Sequence, residues 1–413
     1  MHRTWGRDLG LGSLPLVFER TMYHEAASTS IYLYRKVANI VEDPSSSCED
    51  STSPCSTPCS CSTPCSCSSS AEEDDDDDDD RFVDRQAIDD LPDGTLVVVK
   101  KTKSAYCEEE RRMYAALSPH VTITNLLGTR YMGDGLGCLI MEAILLPDQG
   151  SASLYNVIQQ HPRPSREFVA GVLCSAAQGL ARMHDLHVVF ADVKLENVLV
   201  DVPAGVAKWC DFGHAKAHWP TLRPTGTPGA AAPEQVVPNQ FGYFKISPAT
   251  DVWSFGVMVL EAFSTQDLES FPGPMFDILD KYKSKARTLC EESEFEPEPE
   301  PLETKGIATL VLGAALDIVE HSDVPRTEPE PKTQPKTSVI SRCVRDCDCD
   351  MTSLRSLREK LGYDMRDCLL AYHGETFMSD IALACLCPDP ENRLGMVRVV
   401  DLIRAKLEGS SFR

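Results

Sequence analysis

A short segment near the middle of the chain combines the side-chain types that phosphoryl transfer needs. Lys194 follows Asp192 by two positions, Asn197 follows it by five, and Asp211 comes fourteen positions after Asn197. A carboxylate can orient a hydroxyl group, an ammonium group can bind phosphate, and an amide with a second carboxylate can bind Mg²⁺ through oxygen. The residue types and their spacing therefore predict a phosphoryl-transfer site.

Two regular elements flank this segment and would hold it in place. Before it, apolar residues recur from Val169 at positions 172, 173, 176, 180 and 183, which predicts an amphipathic helix. After it, Val198–Val200 and Val206–Trp209 are interpreted as short strands, and the Pro-Ala-Gly turn that separates them predicts a hairpin. We therefore expect the polar segment to be a loop on a rigid platform.

Four further motifs follow in order. They are Asp211-Phe-Gly, Ala-Pro-Glu234, a helical run that starts at Asp251, and Cys-Pro-Asp-Pro-Glu-Asn-Arg393. Each alone is common, but five motifs in this order are not expected by chance. The set that begins at Asp192 resembles the eukaryotic-type protein kinase superfamily, and the resemblance covers most of the chain outside the low-complexity tracts.

The resemblance assigns a role to each polar residue of the central segment. Asp192 is the catalytic carboxylate that accepts the proton of the substrate hydroxyl, and Lys194 stabilises the transferred phosphoryl group. Asn197 and Asp211 are implied to hold Mg²⁺. Thr227 is expected to hydrogen-bond to Asp192 and Lys194, and Glu234 is expected to pair with Arg393 in the large lobe.

The resemblance also implies an ATP site. Lys100, at the end of a Val-Val-Val strand, is similar to the lysine that binds the α- and β-phosphates, and Glu110 is its expected partner. Met141 falls at the gatekeeper position, Glu142 opens the hinge, and Asp148 is expected to serve the ribose. Further assigned to cofactor binding are Gly10, Gly12 and Val17, which look like a glycine-rich loop with Pro15 in place of the third glycine.

The branch of the superfamily follows from two local features. A lysine two residues after Asp192, and the Gly-Thr-Pro-Gly run that contains Thr227, are similar to the serine/threonine branch. The resemblance therefore predicts an enzyme that transfers the γ-phosphoryl group of Mg-ATP to Ser or Thr hydroxyls. The alternatives are a pseudokinase that serves as a nucleotide-binding scaffold, and an acidic interaction module. Retention of Lys100, Asp192, Asn197 and Asp211 favours the enzyme.

Two carboxylates suggest a substrate preference. Glu196 and Asp148 occupy places where kinases that select basic peptides keep acids for arginines upstream of the phosphate acceptor. Charge-assisted hydrogen bonds to such arginines predict a basophilic kinase. In the alternative interpretation, Asp148 is an exposed hinge acid and Glu196 an ordinary surface charge.

Strands come early and helices late, which predicts an α+β chain with the bilobal protein kinase fold. Long polar tracts are expected to be disordered insertions. The predicted divisions are the start of the N-lobe (1–42), a Ser/Cys/Pro and acidic insertion (43–90), the rest of the N-lobe and hinge (91–147), the C-lobe catalytic core (148–265), a largely low-complexity C-lobe insertion (266–350) and C-terminal helices (351–408).

The charge balance limits the partners that we expect. The chain of 413 residues has a net charge of −23, and Glu72 to Asp80 is an unbroken acidic run. Such a balance argues against nucleic acid or an anionic membrane as the main partner, and it leaves Ser/Thr-bearing protein substrates. The oligomeric state is not predicted.

The cysteines suggest a reducing compartment. Their number, 17, is odd, six of them lie in a Ser/Thr/Pro tract before residue 68, and the N-terminus has no continuous apolar signal segment. We expect an intracellular protein of the cytoplasm or nucleus. The tandem Cys-Ser-Thr-Pro-Cys-Ser repeat is interpreted as a low-complexity linker, with a metal site as the alternative.

Four features together resemble the serine/threonine kinases of herpesviruses. They are the short spacing from Lys100 to Glu110, the Val-Val-Val-Lys strand, the acidic N-terminal region and a long insertion after the helix that starts at Asp251. In that case the compartment is that of a host cell.

Overall fold

The computed structural model describes most of the chain outside the low-complexity tracts and divides it into two compact units. The small unit comprises residues 1–108 and 126–143, and the large unit comprises residues 109–125 and 144–413. Within these, the structure describes residues 14–24, 29–37, 82–83, 85–132, 135–217, 226–227, 229–239, 244–264, 273–292 and 353–410.

The small unit is built on one antiparallel sheet of six strands, in the order β1-β2-β4-β6-β5-β3. A short helix, α1 (Arg85–Asp89), precedes the fourth strand. The strands are β1 (Leu16–His24), β2 (Ser30–Lys36), β3 (Phe82–Val83), β4 (Leu96–Lys103), β5 (Leu126–Met132) and β6 (Leu136–Glu142).

Alternation along β4 gives the sheet one apolar core face. Val97 and Val99 are fully buried and pack in one cluster with Tyr34, Ile140 and Ile88, the last from α1. Successive side chains of a strand point to opposite faces, so the residues between them lie on the other face. The predicted Val-Val-Val strand before Lys100 is thus confirmed, and it extends beyond Lys100 to Lys103.

The first two strands of the sheet lie next to the predicted glycine-rich segment. β1 and β2 pair along their length, and residues 25–29 join them without a glycine. Val17 lies in β1, opposite Arg35, and is 41% exposed. Gly10 and Gly12 precede this strand and lie outside the described residues. The predicted glycine-rich loop with Gly10, Gly12 and Val17 therefore stays a prediction, resting on a lone Gly-x-Gly motif.

The large unit is mainly helical. The boundary between the units falls within α2 (Ser104–Leu117). Two small antiparallel ladders, β8 (Val198–Asp201) with β9 (Val206–Trp209) and β7 (Val188–Val189) with β10 (Lys216–Ala217), complete it. The other helices are α3 (Leu154–Ile158), α4 (Arg166–Asp185), α5 (Pro233–Val236), α6 (Pro248–Phe263), α7 (Gly273–Glu292), α8 (Leu354–His373), α9 (Ser379–Cys385) and α10 (Met396–Ser410).

Helix α4 is the predicted amphipathic helix, and its packing fixes the hairpin beside it. Its N-cap Ser165 accepts the N–H of Phe168, and its apolar stripe is buried. Trp209 of β9 donates its indole N–H to the carbonyl oxygen of Ala176 at 2.9 Å. A Cβ at Gly179 would lie 2.6 Å from the Trp209 ring, so only glycine permits this contact. The platform expected from the sequence is confirmed.

Two predicted insertions contain ordered elements. Residues 82–83 and 85–89 form β3 and α1, and Ile88 is fully buried, so the first insertion ends before residue 90. Helix α7 occupies positions 273–292 of the second. Its buried residues Met275, Leu279 and Tyr282 follow helical spacing, but the lysines and prolines around them hid this signal. The β-rich small unit and helical large unit confirm the α+β class.

Within the described ranges, no helix combines the length and apolar character needed to cross a bilayer.

Candidate active site

Asp192 lies at the centre of a closed hydrogen-bond network in the large unit. Its Oδ1 accepts the hydroxyl of Thr227 at 2.7 Å, and its Oδ2 lies 2.7 Å from Nζ of Lys194. Lys194 also donates to the Thr227 hydroxyl at 3.3 Å. Both predicted contacts of Thr227 are confirmed. The carboxylate is only 7% exposed, and its neighbours hold it in one orientation.

Asp251, at the start of α6, anchors the backbone of this loop. Its Oδ2 accepts the N–H of Phe190 and its Oδ1 that of Ala191, both at 2.8 Å. Nε2 of His184, in the last turn of α4, lies 2.9 Å from Oδ2. Ala191 adopts a left-handed backbone with φ of 64°, a strained conformation that these two bonds maintain. Buried Asp251 therefore fixes the backbone immediately before Asp192.

Asn197 and Asp211, whose role as Mg²⁺ ligands stays a prediction, have oxygen atoms near Asp192 and in the Asp-Phe-Gly segment. Nδ2 of Asn197 donates to the carbonyl oxygen and to Oδ2 of Asp192, both at 2.9 Å, which leaves Oδ1 as the ligand atom. The backbone carbonyl of Asn197 accepts the N–H of Cys210 at 3.1 Å. This bond holds the next residue, Asp211, near the loop that contains Asp192 and Asn197. Asp211 has φ of 61° and accepts the N–H of Gly213 at 3.3 Å.

This donor set fits Mg²⁺. No group of three or more His, Cys, Asp or Glu side chains that could hold a metal occurs among the residues that the structure describes. Mg²⁺ binds through one or two carboxylates and keeps oxygen ligands from water and substrate phosphate. One amide oxygen and one carboxylate, from Asn197 and Asp211, match that requirement.

An aromatic column supports the Asp-Phe-Gly segment. The ring of Phe212 packs edge-on against Phe190, with centroids 5.5 Å apart, and against Tyr114 of α2 at 4.9 Å. The Phe212 N–H donates to Oε1 of Glu110 at 3.2 Å. Phe190 is fully buried in this column and also packs against Trp209, with ring centroids 4.8 Å apart.

Glu234 and Arg393 form the predicted pair. Both side chains are buried, and the guanidinium makes two bonds to the carboxylate, Nη1 to Oε1 at 2.7 Å and Nη2 to Oε2 at 3.2 Å. Arg393 also donates to the carbonyl oxygens of Ala249 and Cys387. This pair ties the end of the segment that begins at Asp211 to α6 and to the loop before α10.

In the small unit, the register of β4 distinguishes Lys100 from its neighbour Lys101. Lys100 pairs with Leu139 and is 7% exposed, and alternation places it on the face opposite the Val97–Val99 core. Lys101 lies on the core side of the strand. Met141 pairs with Val98, two residues from Lys100 on the same face.

Three predicted residues have less distinctive positions. Glu142 ends β6, opposite Val97. Asp148 lies in an exposed loop of the large unit, where its Oδ1 accepts the N–H of Gly150 at 2.8 Å. Glu196 is exposed in the single helical turn Leu195–Asn197. The binding roles of all three stay predictions.

Sequence reasoning missed Glu261, near the end of α6. Burial, and then the nearby charge of Glu196, raise the pKa of Glu261 to about 8. An acid that shares its surroundings with a second acid favours a cationic partner. Glu261 is the only acid after Asp251 in an otherwise apolar helix, but no local pattern in the sequence relates it to Glu196.

Comparison with known proteins agrees with this geometry. The family model for the protein kinase domain matches residues 94–402. Three quarters of the chain fall within that match, so the chain belongs to the protein kinase domain family.

Individual relatives share a shorter stretch. The chain is 34% identical over 186 residues to a probable serine/threonine-protein kinase PBL4 of Arabidopsis thaliana, covering 41% of this chain and 42% of the relative. It is 33% identical over 132 residues to serine/threonine-protein kinase TAO3 of Xenopus laevis and 35% identical to human TAO2, covering 32% of this chain and 14% and 10% of those proteins. The chain thus spans less than half the length of these relatives. The similarity to herpesvirus kinases stays a prediction.

Proposed function

We propose that the protein is a serine/threonine protein kinase that transfers the γ-phosphoryl group of Mg-ATP to protein hydroxyls. The observation that carries the proposal is the network in which Thr227, Lys194 and Asn197 all bond to Asp192. Removal of any member would leave a buried polar group unpaired, at a cost of about 1–3 kcal/mol. Such a network holds the base in a fixed position, which is the main protein contribution to phosphoryl transfer.

Each residue then has one task. Oδ1 or Oδ2 of Asp192 accepts the proton of the attacking Ser or Thr hydroxyl. Lys194, 2.7 Å from that carboxylate, stabilises negative charge on the transferred phosphoryl oxygens. Oδ1 of Asn197 and the carboxylate of Asp211 would hold Mg²⁺, which when bound supplies charge neutralisation at the phosphates. Lys100 binds phosphate from the small unit.

The pseudokinase alternative has less support. The four residues Lys100, Asp192, Asn197 and Asp211 are retained, and the three in the large unit have the bonds that orient them. A nucleotide-binding scaffold does not require a base that is held by three neighbours.

A basophilic substrate preference is our finer proposal. Glu196 is exposed one residue before Asn197, and its negative charge contributes to the raised pKa of Glu261. An arginine upstream of the acceptor would bring a positive charge to this pair and favour ionisation of both carboxylates. Asp148 adds a third acid in the sequence-based proposal. Two charge-assisted bonds would each contribute about 1.5–3 kcal/mol when shielded from water.

Transfer from radiolabelled ATP with Mg²⁺ tests the activity. We expect the unmodified protein to phosphorylate itself or a Ser/Thr peptide and Asp192→Ala to lose at least about a thousandfold of the rate, since the base orients the nucleophile. Equal incorporation by both proteins would refute the kinase assignment. ATP binding without any transfer by the unmodified protein would favour the scaffold.

A peptide library tests the substrate preference separately. We expect Arg-Arg-x-Ser/Thr peptides to be preferred and the double change Glu196→Arg with Asp148→Arg to abolish the preference. Glu196→Arg alone should weaken the preference while ATP turnover persists. The single change Glu261→Gln should weaken the preference for arginine. The matched control is Glu408→Arg, which reverses the charge of an exposed acid in α10. Selection for proline after the acceptor, or for acidic flanks, would contradict the proposal.

A location inside the cell is a further proposal, supported only by the distribution of cysteines in the sequence.

A further inference from the structure

Helix α7 is held against α8 by its apolar side. Met275, Leu279, Tyr282 and Ala286 are all at most 3% exposed. The Tyr282 hydroxyl donates to Oδ2 of Asp364 in α8 at 2.6 Å. The spacing of these residues, four, three and four, is that of one helix face. The rest of α7 is therefore oriented outward in a fixed direction.

On one flank of this contact, α7 and α8 enclose an open groove. Pro274 and Ile278 of α7 form one wall, and Ala371 and Tyr372 of α8 form the other. We call this the α7–α8 groove. Its apolar walls offer a concave surface for an apolar side chain, which a flat helix face does not.

Two lysines extend the same flank of α7 beyond the groove. Lys281 and Lys285 follow Pro274 and Ile278 with the same helical spacing, and both are exposed. Lys283 and Arg287 are also exposed but lie on the opposite flank. None of these four cations forms an ion pair with any residue in the described part of the chain.

The acids of the groove already have cations beside them. Lys360 lies 3.7 Å from Oδ1 of Asp364, and Arg366 lies 3.3 Å from Oδ1 of Asp367. Among the described residues no acid lies within ion-pair distance of Lys281 or Lys285, and Nζ of Lys281 lies 5.2 Å from the centre of the Tyr282 ring. Asp277, an exposed acid of α7, lies four residues before Lys281, so this flank carries two lysines and one acid and its net charge is positive.

Helical geometry makes this clustering unfavourable in the free protein. Lys281 and Lys285 are four residues apart, as are Lys283 and Arg287, and like charges at this spacing destabilise a helix. A negatively charged ligand on this flank would remove that repulsion for the first pair.

We propose that the α7–α8 groove with Lys281 and Lys285 binds a segment of a protein partner that carries an apolar side chain next to two or three acidic residues. From Ile278 to Lys285 the helix rises roughly 10 Å, which matches about three residues of extended chain. The apolar side chain occupies the groove, and the acids face the two lysines. The surface belongs to the large unit and is independent of phosphoryl transfer.

A short ligand fits this surface better than a nucleic acid or an anionic membrane. The chain as a whole carries a net charge of −23. Charges beyond the Debye length of about 8 Å are screened, so a short segment experiences mainly the two lysines. A long polyanion or a charged bilayer extends over the acidic remainder of the protein and is repelled.

The test is the fluorescence anisotropy of a labelled peptide, Gly-Ser-Leu-Glu-Glu-Glu-Ser-Gly, titrated with the full chain. We expect saturable binding that weakens with salt. Lys281→Glu with Lys285→Glu should reduce the affinity about tenfold or more. The matched control, Lys283→Glu with Arg287→Glu, has the same charge change on the same helix and should reduce it less than about threefold. Ile278→Ser should weaken binding severalfold without changing any charge.

Several outcomes would overturn the proposal. They are equal losses from the two charge-reversed pairs, equally tight binding of the peptide with lysine in place of glutamate, and tighter binding of a single-stranded oligonucleotide or of phosphatidylserine vesicles than of the peptide. Lys281→Gln with Lys285→Gln, checked by circular dichroism, replaces the reversed pair if that variant fails to fold.

Discussion

Lys100 and Lys101 are adjacent, and only their faces on β4 distinguish them. Lys100 is nearly buried on the face that also bears Met141, whereas Lys101 follows Val97 and Val99 along the core face. A strand exposes its residues alternately, so a shift of one position would exchange the roles of the two lysines. Which of the two lysines has the predicted phosphate-binding role therefore depends on the register of β4.

We expect Lys100→Met to abolish phosphoryl transfer and to leave the melting temperature within a few degrees, because methionine fills the same volume on an ordered strand. Lys101→Met is the matched control and should retain most of the rate. Initial rates with a Ser/Thr peptide, together with thermal unfolding, measure both. If Lys101→Met is inactive and Lys100→Met is active, Lys101 has the predicted role and the assignment is wrong by one residue.

Arg393 is a residue whose removal should act on stability. Its guanidinium has no exposed side-chain surface and makes two bonds to Glu234, which is itself buried. Removal of one partner of a buried pair leaves an uncompensated charge and costs about 3–5 kcal/mol. We expect Arg393→Met to lower the free energy of unfolding by that amount, as measured by urea denaturation. Arg398→Met, an exposed arginine five positions on, should change it by less than about 0.5 kcal/mol.

At the scale of elements, α8 contains a titratable group without a hydrogen-bond partner. His373 ends the helix, is 7% exposed, and neither ring nitrogen has a partner among the described residues. Burial lowers the pKa of His373 from 6.5 to about 4. The folded protein therefore keeps this imidazole neutral where the unfolded chain is protonated.

Folding stability should accordingly fall on acidification. Below pH 6.5 the unfolded state binds a proton that the folded state does not, so the loss begins there and continues until about pH 4. At pH 5 it amounts to about 2 kcal/mol relative to pH 7. Urea denaturation at both pH values, with His373→Asn as reference, isolates this contribution. A pH dependence unchanged by the substitution would show that other groups cause it.

The segment from Asp211 to Glu234 leads to a prediction about regulation. The position before Asp192 is Ala191, whose methyl group cannot bind a phosphate, whereas an arginine there could order a phosphorylated segment. We expect phosphatase treatment of the purified protein to leave its transfer rate nearly unchanged. A tenfold loss after treatment would contradict this.

The helices and strands differed in how well the sequence alone predicted them. The apolar stripe of α4 and the β8–β9 hairpin have strong local periodicity, and both were predicted. In α7 the four buried residues are separated by lysines and aspartates, and the helix becomes evident only when α8 supplies a surface for them. The pairing of β1 with β2 was not predicted, because strand pairing is a long-range property that no local pattern contains.

The same contrast holds for the candidate site. Asp192, Asn197, Asp211 and Thr227 lie in motifs whose spacing reflects their bonding, and the structure brings them together. Glu261 was missed because its relation to Glu196 arises from packing across 65 positions of sequence, which no local pattern contains.

At the scale of the whole molecule, deletion of the long predicted insertion in the small unit tests how much of the chain is required for folding. β2 ends at Lys36 and β3 begins at Phe82, so deletion of residues 45–80 removes none of the described elements. Loop closure changes by only about 0.6 kcal/mol for each doubling of length. We expect catalysis within a few-fold of the full chain and an unchanged melting temperature.

Ile88 provides the contrast for that deletion. It lies only eight residues beyond the deleted stretch but is fully buried in the sheet core. Ile88→Ala should lower the free energy of unfolding by about 2–5 kcal/mol. A deletion variant that precipitates, or that loses ATP binding, would show that the tract is part of the fold.

The pairing of Glu234 with Arg393 imposes an order on biosynthesis. The two residues are 159 positions apart, and a ribosome that adds about 5–20 residues per second delivers the second on the order of 10–30 s after the first. During that interval the nascent chain holds a glutamate whose burial has no counter-charge. The large unit can therefore reach its final packing only after Arg393 has been synthesised, and a chaperone that shields the growing polypeptide would act on this unit for that interval.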